Sequence, residues 1–382
     1  TYGLLIPAGK AVVLDLNGCT ISQTVEQTAE YSMIRNKGTL TIDDSKGNGK
    51  ISYTDSGNGG EYISDAIYNK SVLVINGGTI ENLSSATVAS NGYPHAVDTY
   101  SGIGNTSVTI NGGTIYCAEY SAVRMFCVSA TNAADLVING GTIKGAIDMQ
   151  NGTTVAAVGT LTINDGTFQT TKNANNIRFA NWNGGATEYG LTASIKGGLF
   201  NGGIQAKYVP EAANWNKGII TGGTFTVDPS EYVANGYVAK QNENSLWTIV
   251  PAPAVVEGGY EISNAAQLKY FAESVNAGET TYNGTTIKLA ADIDLQNEPW
   301  TPIGFNSNIV AGSENYFTGT FDGQNHTIRN LKIDVQDKGG VGLFGTVYNA
   351  SFKSFTLENV DIKAVESEDD PANTSGAENH SN

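Results

Sequence analysis

The sequence predicts an all-β chain: a right-handed parallel β-helix followed by a smaller, helix-capped β-solenoid segment. Three observations carry that reading. The phrase Ile-Asn-Gly-Gly-Thr-Ile recurs at Ile75–Ile80, Ile110–Ile115 and Ile138–Ile143, and looser copies follow at Ile163–Phe168, Ile195–Phe200 and Ile220–Phe225. The second residues of the copies (76, 111, 139, 164, 196, 221) are spaced by 35, 28, 25, 32 and 25. A floor near 25 with variable excess is the mark of a solenoid with insertions on some turns. The composition agrees: 46 glycines, 40% hydrophobic and 15% charged residues suit short strands and tight turns better than helices.

Within each copy the residues before Asn-Gly alternate apolar and polar, as in Leu73-Val74-Ile75 and Val108-Thr109-Ile110. Such alternation gives a strand with one buried face. Asn-Gly or Gly-Gly then supplies the positive φ of a sharp corner, and the following Thr-Ile or Thr-Phe opens the next strand. Earlier turns read the same way: Leu14, Leu16 and Ile21 should point inward, with corners at Asn17 and Asn48. The count is about eight turns, a rod of roughly 35–40 Å at ~4.8 Å per turn. Repeated corner asparagines should stack as an amide ladder. Excess length places insertions at Ser84–Asn105, Asn173–Gly190 and Gln205–Lys217.

The regular pattern over 1–248 gives way at a Pro-Ala linker, 249–258. A single helix follows, opening on Ser263 and Asn264, with Leu268, Phe271, Ala272 and Val275 on one face and Gly278 after its end. It reads as the cap of a second solenoid over 259–365, which leaves 366–382 as a disordered acidic tail. The chain reads as part of a longer protein.

Charge narrows the partners. Lys+Arg 21 against Asp+Glu 37 gives a net charge of −16, which repels nucleic acid and anionic lipid. No membrane-inserting segment is expected, and a monomer is. Of Cys19, Cys117 and Cys127, the last two could bridge on one insertion, but buried free thiols are the better reading.

The second region carries a resemblance. Thr286–Leu295, Trp300-Thr301-Pro302-Ile303-Gly304, Phe317–Ile328 and Gly340–Gly345, with its Gly342-Leu343-Phe344-Gly345 turn, resemble a GLUG-motif domain over about 257–363. The first region resembles β-helical stalks of surface proteins of gut Firmicutes. These resemblances imply a secreted or cell-wall-anchored bacterial adhesin. Some proteins of this kind are similar to superantigens that bind immunoglobulin variable domains.

Catalysis finds little footing. Polysaccharide hydrolases need close paired carboxylates, and lyases need Ca²⁺ carboxylates with an Arg or Lys base. Asp43-Asp44 reads as a turn, and Asp292 and Asp294 as a solvated strand face, with Ca²⁺ the one cofactor they suggest. Arg124 and Arg178 occupy interior repeat positions. His95 stands three residues from Asp98, and His326 reads as a turn residue. The expected role is binding without catalysis; a polysaccharide lyase or glycosidase, or a stalk with no ligand, is the alternative. Aromatics on the insertions nominate the contacts: Tyr93, His95, Tyr100, Tyr116, Tyr120 and Arg124 around the first, Trp182, Tyr189, Tyr208 and Trp215 around the others. Tyr, Trp and Arg suit a host-protein interface such as immunoglobulin, while Trp182 and Trp215 suit stacking on a host glycan.

Overall fold

The computed structural model describes residues 2–26, 31–56, 64–84, 94–172, 174–181, 189–207, 218–305, 315–335 and 340–364. Two compact units are present: Thr1–Ala234 with Val238–Val250, and Asn235–Tyr237 with Pro251–Asn382. The fold is a parallel β-solenoid of about eleven turns in all. Among the described residues no helix is long and apolar enough to cross a membrane.

A turn of the first unit has three strands, one on each face of the rod. The first face begins with Tyr2–Ile6, Tyr31–Asn36, Ser64–Asn69 and His95–Tyr100. It continues through the later parts of Thr114–Cys127 and Thr142–Asn151 to Asn175–Asn181 and Gly203–Lys207. The second face is a seven-stranded parallel sheet from Ala11–Asp15 to Leu191–Ile195. The third runs from Thr20–Val25 to Thr224–Phe225.

Register is fixed by what points inward. On the second face Ile42, Ile75, Ile110, Ile138, Ile163 and Ile195 form one column, all fully buried. On the third face Ile51, Ile80, Ile115 and Ile143 lead into Phe168, Phe200 and Phe225. Those three rings stack at 4.3 and 4.6 Å, nearly parallel. The switch from Ile to Phe in the repeated phrase thus marks where a branched column becomes an aromatic stack. Phe225 then pairs antiparallel with Trp247, which covers the final strand edge of this face.

The corners between the second and third faces follow the expected chemistry. Gly113 sits at φ +80, and a Cβ there would meet the Gly78 carbonyl oxygen at 2.4 Å, so neither backbone nor space admits a side chain. Beside it runs the amide ladder. Asn76 donates to Asp43, Asn111 to Asn76, Asn139 to Asn111 and Asn164 to Asn139, at 2.6–2.7 Å. A second, buried pair links Asn36 to Asn69 at 2.8 Å. The amides therefore stack both along the surface and inside the rod.

The first turn departs from expectation. Leu16 is buried, but Leu14 is half-buried and Ile21 is 39% exposed. Both lie in register with the inward residues Ile42 and Ile51 of the next turn. Cys117 and Cys127 are buried free thiols. Burial pushes Cys117 up to about 11 and raises Cys127 as well, so both stay protonated at neutral pH.

The second unit repeats the design with a different core. Gly259–Ile262, Thr286–Leu289, Thr320–Arg329 and Ser351–Glu358 pair in parallel in turn. The segment read as a linker is structured here: Ala254–Val256 pairs antiparallel with Gly259–Ile262. The helix Ala265–Asn276 joins two neighbouring parallel strands. Asn264 caps it by accepting from the Gln267 N–H at 3.0 Å, and Gly278 follows at φ +69. Leu268, Phe271, Ala272 and Val275 are buried as expected. The Phe271 ring packs against Tyr282 and Phe317 at 4.9 and 5.5 Å. Leu343 of the Gly-Leu-Phe-Gly turn is buried and accepts from the Trp300 indole at 3.2 Å. Gly304 faces that turn so closely that a Cβ would stand 2.2 Å from the Thr346 oxygen.

A candidate binding surface on the first face

The inward column of the first face is Ile34, Ile67, Val97, Val123, Ile147, Ile177 and Ile204. The next residue of each strand points outward. Those residues form their own column: Arg35, Tyr68, Asp98, Arg124, Asp148, Arg178 and Gln205. From Asp98 to Arg178 the charge alternates at every turn. Arg124 holds Asp98 with both prongs, Nε–Oδ1 2.7 Å and Nη2–Oδ2 2.6 Å. Arg178 donates to both oxygens of Asp148 and to the Tyr120 hydroxyl. Gln150 adds a 2.6 Å bond to Asp148.

These groups are buried although they face away from the core: Asp148 is fully covered, and Arg124 and Arg178 are 7% and 6% exposed. Burial disfavours the Arg124 charge, but the Asp98 carboxylate outweighs it and lifts the guanidinium above its usual value. Arg178 is held up in the same way by Asp148. Desolvation cancels much of the attraction in such a pair, while loss of one partner strands a buried charge. The ladder therefore contributes more to order than to net stability, since like charges on adjacent turns would repel.

An aromatic and cationic strip flanks the ladder. The Lys70 ammonium lies 4.8 Å from the Tyr68 ring centre and 5.1 Å from that of Tyr100. Arg35 covers Tyr68 at 5.2 Å, Arg124 covers Phe126 at 5.1 Å, and Tyr100 and Phe126 are 6.2 Å apart. Cation–π contacts of this kind hold each ring in place while leaving an edge to solvent. Lys70, Tyr100 and Phe126 are half-buried.

The structure gathers five of the nominated residues onto this face. Tyr100 and Arg124 belong to the strip and ladder. Tyr120 receives the Arg178 hydrogen bond and lies beneath its guanidinium at 4.5 Å. Tyr189 is buried, its hydroxyl donating to the Met149 carbonyl at 3.2 Å, and burial raises its pKa well above the usual tyrosine value. His95 is fully buried in a strand, its ring edge-on to Tyr120 at 5.7 Å. Its ring nitrogens make no hydrogen bond to Asp98, whose carboxylate is held by Arg124. Burial, reinforced by the Arg124 and Arg178 charges, holds His95 well below its ordinary pKa. Tyr116 lies elsewhere, on the third face between its register neighbours Glu81 and Lys144, in a groove of about 480 Å³. Tyr93, Trp182, Tyr208 and Trp215 lie outside the described residues, as does the tail 366–382.

Lys70, Tyr68 and Asp148 are absent from the sequence nominations. A signal for two of them exists: aligned on the inward aliphatic residue, Tyr68 and Asp148 share an offset with Asp98, Arg124 and Arg178. The second-unit carboxylates are committed. Asp292 accepts from the Thr327 N–H and pairs with His326 at 3.0 and 3.1 Å, and Asp294 binds Arg329 and Asn330 at 3.0 and 2.7 Å. His326 lies in a strand, just past a corner at Gln324 and Asn325. Among the described residues no three His, Cys, Asp or Glu side chains converge to hold a metal ion.

No protein-family model matches the chain, and no solved structure matches it. One curated protein is similar in part: halomucin of Haloquadratum walsbyi, 31% identical over 129 residues. The match covers 32% of this chain and 1% of halomucin.

Two outcomes are expected. Asp148→Asn leaves Arg178 buried without its counter-charge and should cost about 3–5 kcal/mol in denaturant unfolding, whereas the exposed Asp292→Asn should leave the midpoint almost unmoved. The depressed His95 pKa gives a pH signature. Above its ordinary value of 6.5 the ring is neutral folded or unfolded; below it the unfolded chain takes up a proton that the folded chain refuses. Stability is then lost as pH falls through that value, by at most about 1.4 kcal/mol per pH unit. His95→Gln should flatten the slope between about pH 7 and 5, measured by denaturant midpoints.

Proposed function

We propose that this chain is a non-catalytic binding segment of an extracellular bacterial surface protein, an adhesin that engages a host protein. The observation that carries the reading is the strip of Lys70, Tyr100, Arg124 and Phe126. It gathers the half-buried rings of Tyr100 and Phe126, aromatic types enriched at protein interfaces, braced from three successive turns by Lys70 and by the buried Arg124. Bracing lowers the entropy lost when a partner docks. A stable interface needs roughly 800 Å² per side, which several turns of one face supply.

The chemistry of the same face favours binding over turnover. Asp98 and Asp148 are each occupied by an arginine, so neither stands ready as acid or base toward a sugar bond. The resemblance of the second region to GLUG-motif domains supports an extracellular setting, with immunoglobulin among the host proteins such a module would meet. The third-face groove lined by Tyr116 with Lys50, Glu81, Lys144, Thr79 and Thr114 supports a second reading, a host glycan stacked on the one ring with polar and charged side chains beside it.

The test is capture of purified immunoglobulin and of whole mucosal secretion on the immobilised chain, beside Tyr100→Ala/Phe126→Ala and Tyr116→Ala variants of matched melting temperature. The strip variant should weaken capture by about tenfold or more. Capture that survives the strip variant and falls with Tyr116→Ala assigns the glycan reading instead. Absence of capture by the unaltered chain leaves a stalk and overturns both.

A further inference from the structure

We infer that the second unit carries a binding site of its own, for a neutral oligosaccharide, independent of the first-face strip. Three successive turns of this unit place Thr281 and Asn283, then Tyr316 and Thr318, then Tyr348 and Asn349 around one pocket of about 420 Å³. That lies in the usual range for small-ligand sites, about 300–1,000 Å³. The turns are tied together behind it. The Thr318 N–H donates to the Thr281 carbonyl at 2.9 Å, and the Tyr348 N–H donates to the Phe317 carbonyl at 2.9 Å. Phe317 is fully buried in the aromatic core, so the pocket floor rests on packed rings.

Tyr316 and Tyr348 meet edge to face, 5.9 Å apart at 65°. Together they make an open corner of two aromatic surfaces. Tyr348 is 63% exposed, a large bare ring on a fixed turn. A pyranose ring presents an apolar C–H face that packs on such a surface and an equatorial belt of hydroxyls that needs hydrogen bonds. The rest of the lining supplies that belt. The Asn283 and Asn349 amides can each donate and accept, as can the Thr281 hydroxyl. The Thr318 hydroxyl donates to the Thr281 carbonyl, which fixes its position and leaves its oxygen free to accept. Asn349 sits at φ +50, a left-handed conformation that asparagine tolerates, and the turn holds it beside Tyr348.

Charge selects the class. The six lining residues are two threonines, two asparagines and two tyrosines, with no acidic or basic side chain among them, in a chain whose net charge is −16. Among the described lining residues none would compensate the carboxylate of a uronic acid, and none would pair an ammonium group. The chemistry that fits is a neutral sugar, stacked on the tyrosines and held by amides and hydroxyls.

Saturation-transfer NMR and titration calorimetry on the full chain test this, with cellotetraose, xylotetraose and mannotetraose as probes and tetragalacturonate as the anionic control. At least one neutral tetramer should bind, with saturation transferred to one face of its rings. Tyr348→Ala should weaken it by about tenfold or more, Asn283→Ala should weaken it less, and Tyr348→Phe should retain it. Both positions are exposed, so the fold is kept, and the melting temperature verifies that. Failure of all three neutral tetramers, binding indifferent to Tyr348→Ala and Asn283→Ala, or preference for tetragalacturonate would each overturn the assignment. Tyr100→Ala/Phe126→Ala should leave sugar binding unchanged, so this result and that of the first-face strip are read separately.

Discussion

The architecture depends on one constraint: each turn must lie in register on the one before it. Parallel pairing at ~4.8 Å satisfies the backbone only if the inward side chains of adjacent turns also match. The column from Ile42 to Ile195 meets that condition on the second face, and the Ile-to-Phe column meets it on the third. A shift of one residue would bring Thr41, Val74 and Thr109 inward and turn the isoleucines out. The hydroxyls would then be buried without partners, so the register is held by both gain and penalty.

Register also determines what the surface can do. Once the inward residues are aligned, every outward residue falls into a column as well, and residues far apart in sequence become neighbours. Asp98 meets Arg124 across 26 residues and Asp148 meets Arg178 across 30. The same geometry turns corner asparagines into a continuous amide chain anchored on Asp43. The strip of Lys70, Tyr100 and Phe126 is one more product of this stacking, as is the tyrosine corner of the second unit. Function in such a fold is written down columns, across loops whose lengths vary.

That explains how much could be read beforehand. The second and third faces were legible because Ile-Asn-Gly-Gly-Thr-Ile spells strand, corner and strand in contiguous residues. The helix was legible for the same reason, from its cap, its apolar face and Gly278. The first face was hidden. His95–Tyr100, Asn175–Asn181 and their neighbours share no phrase, only an offset from an aliphatic residue, and the irregularity between Tyr116 and Ser121 disturbs the count. His95 read as a loop residue because it falls within the excess length Ser84–Asn105, yet a strand begins there. Tyr316 and Tyr348 carry no local signal, since the residues between them give no hint that the two rings meet.

Engineered cysteine pairs test the stacking most directly. Val74 and Thr109 are register partners on adjacent turns, while Val137 is the next in the same column. In a chain carrying Cys19→Ser, Val74→Cys with Thr109→Cys should oxidise readily, because Cα atoms ~4.8 Å apart lie within the roughly 4.4–6.8 Å that a disulfide spans. Val74→Cys with Val137→Cys, at about twice that separation, should remain reduced. Equal cross-linking of both pairs, or cross-linking of the second alone, would contradict the parallel in-register ladder.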